Sequence, residues 1–114
     1  MKSLLVFLTG IIYLYSLQMP AIAGQIWQGK GTIVRGAGEG GSLGLKIEVE
    51  GNTVKFLSGP SRNQRGRINS PSSSLNGSIE ISNNTWYFKQ ENGQLAVTLY
   101  QQRPYRVVLY RLSK

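Results

Sequence analysis

Between residues 42 and 50, apolar and polar positions alternate without a break. Leu43, Leu45, Ile47 and Val49 point one way; Gly44, Lys46, Glu48 and Glu50 point the other. A period of two marks a strand with one buried face. Three residue pairs suited to the positive φ of tight hairpin turns follow: Gly51-Asn52, Asn83-Asn84 and Asn92-Gly93. A two-residue loop dictates which residues face each other, so these turns test one another. The first sets Val49 against Val54, Ile47 against Phe56 and, outside, Glu48 against Lys55. The second sets Ile81 against Trp86 and Ile79 against Phe88. The third sets Trp86 against Leu99, Phe88 against Val97 and, outside, Tyr87 against Thr98. The second and third hairpins share a strand and agree on its inward face.

The last hairpin is set by its loop. A loop over residues 102–104 pairs Leu99 with Val107 and Val97 with Leu109. That register leaves Val108, Tyr110 and Leu112 outside, beside Ala96, Thr98 and Tyr100, as an apolar strip and candidate contact surface. Earlier in the chain, residues 25–35 place Trp27, Gly29, Gly31 and Ile33 on one face. Two glycines there imply a tight bend or a close backbone approach. Residues 36–41 (GAGEGG) form a connection, and residues 58–77 are the least regular stretch, with a short strand expected over 65–69. The expected fold is all-β: an antiparallel meander of about eight short strands, closed into a small barrel or flattened β-sandwich that hides its edges.

The N-terminus has a different pattern. Lys2 precedes an uncharged apolar run over residues 4–17, followed by Pro20 and the small-x-small triplet Ala21-Ile22-Ala23. This is the layout of a signal peptide, expected to span 1–23 and to be cleaved between Ala23 and Gly24. A spanning helix needs about 20 apolar residues, more than this run supplies. The mature chain, 24–114, reads as a single secreted or periplasmic domain with no transmembrane segment. Removing Lys2 leaves 12 basic residues against 5 glutamates, a net charge of +7. That excess favours anionic partners without bearing on the fold.

Composition removes several chemistries. With no Cys and no His, Ser-His-Asp and Cys-His catalysis cannot be built, nor can zinc sites of the usual nitrogen and sulfur ligands. No cofactor or metal is expected. Glu48 and Glu50 share a face, but Lys55 opposes Glu48, the ordinary use of a charge pair on an exposed sheet face. No enzyme is expected. GAGEGG lacks the helix and the Lys-Ser/Thr that phosphate cradling requires, and reads as a loop. Trp27-Gln28-Gly29-Lys30-Gly31 resembles, over five residues, the first strand of avidin- and lipocalin-type barrels. Packing favours a core tryptophan plugging one barrel end.

The basic residues carry the functional expectation. Arg62, Arg65 and Arg67 fall within six residues, next to Asn63 and Gln64. The planar fork of arginine suits carboxylate, sulfate or phosphate groups. The sequence therefore points to a non-catalytic exported module. Its expected ligand is an anionic envelope component, a lipid head group or acidic glycan, bound through this arginine-rich loop. Export argues against nucleic acid as the partner. The alternatives are a protein-interaction module, such as a small exported enzyme inhibitor, and a carrier of a small apolar ligand.

Overall fold

The computed structural model describes residues 24–68 and 75–114. The proposed leader lies outside the described residues. Eight strands follow one another: β1 (Gln25–Gly36), β2 (Ser42–Glu50), β3 (Thr53–Phe56), β4 (Arg65–Arg67), β5 (Asn76–Ile81), β6 (Asn84–Glu91), β7 (Gln94–Gln102) and β8 (Tyr105–Ser113). They form one antiparallel sheet in the order β4-β3-β2-β1-β8-β7-β6-β5. Each half of the chain is thus a meander, and β1 pairs with β8 to join the halves. The sheet rolls into a nearly closed barrel. Its two ends, β4 and β5, touch without a hydrogen-bonded ladder, Gly66 of β4 lying directly against the Ile79 side chain of β5.

The inward face follows the alternation read from the sequence. Leu45, Ile47 and Val49 of β2, Val54 and Phe56 of β3, and Trp86 and Phe88 of β6 are buried, as are Leu95, Val97 and Leu99 of β7. Trp27 is buried with them. Aromatic rings form the centre of this core. Phe56 lies 4.5 Å from Trp86 and 6.4 Å from Phe88, and Trp86 stacks 6.2 Å from Tyr110. These separations are within the range of favourable ring pairs.

The first and third hairpins have the expected registers, including Glu48 opposite Lys55 and Tyr87 opposite Thr98. The second turns on Ser82-Asn83, both with positive φ, so Ile79 rather than Ile81 opposes Trp86. The slide moves the pairing by two residues and therefore keeps the same face inward. The last hairpin departs further. It turns on Arg103-Pro104, pairing Leu99 with Val108, Val97 with Tyr110 and Leu95 with Leu112. Val108, Tyr110 and Leu112 are consequently core residues, at most 2% exposed, and not the outer strip expected of them. The reason is compositional: Val107, Val108, Leu109 and Tyr110 are consecutive apolar residues, so both faces of β8 looked buriable and the loop alone decided the register.

Candidate functional site

The three arginines expected to bind anions are all exposed. Arg65 and Arg67 sit on β4, two residues apart and hence on one face, while the intervening Gly66 turns towards Ile79. Arg65 stands opposite Lys55 and Arg67 opposite Thr53. Glu48 and Glu50 flank the same patch, sharing a shallow hollow with Lys55 and Arg65. No ion pair within 4 Å engages the arginines; among the described residues that distance is met by Lys89 and Glu91, at 3.9 Å.

Arg62 belongs to the β3–β4 connection, residues 57–64, which is far more regular than its composition suggests. Arg62 N–H donates to the Gly59 carbonyl, Asn63 N–H to Phe56 and Gln64 N–H to Ser61. The Trp86 indole N–H donates to Ser61 Oγ at 2.9 Å, with both side chains fully buried. Gly59 lies over Leu45 and Trp86. The segment is therefore a lid seated on one end of the barrel core. The GAGEGG loop also satisfies itself. Gly40 N–H donates to the Ile33 carbonyl and Gly41 N–H to Gly38, so these donors are turned inward to the loop and not to a ligand.

An outer strip does exist, built from other residues. Register places Thr32, Leu109, Thr98 and Tyr87 in one row across β1, β8, β7 and β6, and Arg35, Val107, Tyr100 and Thr85 in the next. Leu109 is 47% exposed and Val34, on the bulge of β1, 45%. Tyr87 and Tyr100 meet edge to face at 5.5 Å. Beside them runs a row of Lys30, Arg111, Ala96 and Lys89. A shallow groove of about 480 Å³ follows this face. Its origin is the register of β8, which turns Leu109 out where the sequence pattern turned it in.

The other group missed by sequence reasoning lies inside the lidded end. Gln101, 6% exposed, accepts a hydrogen bond from Arg106 Nε at 2.8 Å. The two residues are opposite each other across β7 and β8. Tyr110 is 2% exposed and its hydroxyl has no hydrogen-bond partner among the described residues. Burial pushes the Tyr110 phenol up to about 12, while the charge of Arg106 draws it the other way. An unfolded tyrosine ionises near pH 10, so between about 10 and 12 the unfolded chain loses a proton that the folded chain keeps. Stability from this group is whole below pH 10 and falls as pH rises through that window. With solvent screening, the loss is expected to be on the order of 1–2 kcal/mol. Urea midpoints at pH 9 and 11 check it: Tyr110→Phe should lose less stability over the interval than the parent.

Compared with protein families, curated proteins and solved structures, the chain finds no match in any of the three. Among the described residues, no group of His, Cys, Asp and Glu is arranged to hold a metal ion.

Proposed function

We propose that the protein is an exported, non-catalytic binding module for an anionic envelope component, a lipid head group or acidic glycan. The observation that carries this reading is the exposed pair Arg65 and Arg67 on one face of the end strand β4, beside Arg62 on the lid and without ion-pair partners among the described residues. Guanidinium groups so placed can bind oxyanions two-pronged, and the excess of basic residues draws anions to the surface. The glutamates on either side of β4, Glu48 and Glu50 on β2 and the exposed Glu80 on β5, oppose this attraction.

Retention on anionic phospholipid vesicles and on an acidic polysaccharide tests the proposal. Binding should weaken as salt rises, because exposed charges are screened beyond about 8–10 Å at ordinary ionic strength. Replacing Arg62, Arg65 and Arg67 together with serine should abolish retention and leave the urea midpoint within about 0.5 kcal/mol of the parent. Lysine replacements should bind with intermediate strength, since they keep charge but lose the fork. A triple serine variant that binds like the parent overturns the arginine site. The second reading, a protein-interaction module, would then lead. It is favoured by the exposed strip of Val34, Leu109, Tyr100 and Tyr87, an apolar face of the kind partner proteins cover.

A further inference from the structure

Exposed apolar surface is gathered on one side of the barrel. Val34, Tyr87, Tyr100, Tyr105 and Leu109 are, with Ile26, the large apolar side chains left exposed among the described residues, and those five share the outer face of β1, β8, β7 and β6. Val107 also faces outward, between Arg35 and Tyr100, yet is 5% exposed. This side therefore carries a packed apolar layer and not scattered residues, the mark of a contact surface.

Charge on the same face has one sign. β1, β7 and β8 contain no acidic residue, and the exposed cations Lys30, Arg35 and Arg111 stand on β1 and β8. The glutamates lie on the β1–β2 loop, on β2, on β5 and at the end of β6, where Glu91 is 3.9 Å from Lys89. No carboxylate comes within 4 Å of Lys30, Arg35 or Arg111 among the described residues. The register sets Lys30 and Arg111 on one side of the row through Leu109, and Arg35 on the other. An apolar strip between cations is complementary to an apolar stripe between carboxylates.

The strands also restrict the form of the partner. β1, β8 and β7 are each paired on both sides, so an added strand finds no free edge there. A partner that lies on this face must satisfy its backbone within itself, as a helix does. The hollow of about 480 Å³ crosses the face from Ser42 of β2 to Thr98 of β7, past Thr32 and Leu109. Four strands span about 14 Å, between two and three turns of a helix. A second copy docked by the same face would bring two clusters of cations together. A bilayer is flat, and its hydrocarbon offers no acceptor to the hydroxyls of Ser42, Thr32 and Thr98 in the hollow.

We propose that the outer face of β1, β8 and β7 docks an acidic amphipathic helix of a partner protein, with the apolar stripe of the helix on Val34, Leu109 and Tyr100 and its carboxylates on Lys30, Arg111 and Arg35. The surface shares no residue with the arginine patch of β4, so the two readings stand or fall separately.

A fluorescently labelled peptide of about 18 residues, with leucine along one helical face and glutamate elsewhere, tests the surface by anisotropy. It should bind the protein at about 100 μM or tighter. The same peptide with lysine for glutamate, or with glutamine for leucine, should bind at least about tenfold more weakly. Leu109→Glu should reduce affinity about tenfold or more with little change in the urea midpoint, because Leu109 is half exposed. Lys30→Glu combined with Arg111→Glu should turn the preference towards the lysine peptide, a change that loss of folding cannot produce. The variant with serine at 62, 65 and 67 should bind the glutamate peptide like the parent. Absence of saturable binding in the parent overturns the proposal, as does a preference for glutamate that survives the charge reversal. Loss of peptide binding in the serine variant also overturns it, by placing the helix on β4. Two further results overturn it by assigning the face to another occupant. Self-association that Leu109→Glu abolishes points to a second copy. Retention on phosphatidylglycerol vesicles that Leu109→Glu loses and the serine variant keeps points to a bilayer.

Discussion

Trp86→Ala is expected to cost about 3–5 kcal/mol, the largest loss from truncating one side chain in this core. Trp86 is fully buried, packs 4.5 Å from Phe56 and stacks on Tyr110, so its removal opens a void at the centre of the barrel. It also frees the lid, because the indole N–H is bonded to Ser61 Oγ in the interior. Ser61→Ala isolates that second contribution. It leaves the indole N–H buried without a partner and should cost about 1–3 kcal/mol. Trp86→Phe removes the donor, so Ser61→Ala should cost markedly less in a Trp86→Phe background. Urea denaturation of the four proteins gives the coupling directly. The lid itself is followed by amide exchange at Asn63, whose N–H donates to the Phe56 carbonyl. Exchange there should quicken in Ser61→Ala. Additive losses and an unchanged Asn63 would mean that the indole bond does not hold the lid.

How much of this could be seen in advance depended on whether two local signals agreed. In β2, β3, β6 and β7, alternation and turn chemistry point to the same register, and the pairs Ile47–Phe56 and Phe88–Val97 are as expected. In the β5–β6 hairpin, Ser82-Asn83 and Asn83-Asn84 are both acceptable turns that bury the same face, so the inward residues survive the slide. In β8 the alternation is silent and the turn lies one residue away from the expected loop, which reverses every side chain. That reversal hid the part-buried pair of Gln101 and Arg106 at the lidded end. Gln101 and Arg106 meet, and Tyr110 turns inward, only in the observed register. A glutamine and an arginine falling at inward positions of adjacent strands would have been the signal. The pairing of β1 with β8 lies outside any local pattern, because it joins residues about 80 positions apart in the chain. The lid was unreadable for a related reason: Ser61 is one serine among many until its Trp86 partner is known.

The seam between β1 and β8 is where a single added methyl group should do most harm. A Cβ on Gly29 would run into the Arg111 carbonyl oxygen, and one on Gly31 would come within 2.8 Å of the Leu109 carbonyl oxygen and 2.5 Å of the Tyr110 ring. These obstacles are mostly backbone of the adjoining strand, which cannot swing aside as a flexible side chain can. Relief requires β1 and β8 to part. Their ladder is the hydrogen-bonded link between the two meanders among the described residues, since β4 and β5 only touch. Overpacking usually costs about 1–3 kcal/mol, and Gly29→Ala should reach about 3 kcal/mol or more because the strain falls on that link. Gly44→Ala is the matched control. It lies on neighbouring β2, exposed, with nothing nearer to its Cβ than the Gly29 carbonyl oxygen at 3.9 Å. Alanine there should be neutral or stabilise by up to about 1 kcal/mol, because it restricts the unfolded chain. Thermal and urea unfolding of both variants checks the contrast. In Gly29→Ala, amides of Gly31 and Tyr110, which face each other across the seam, should lose protection before those of the β6–β7 hairpin. Equal stabilities for the two variants would show that the halves are not held together at Gly29, and the barrel closure described here would have to be redrawn.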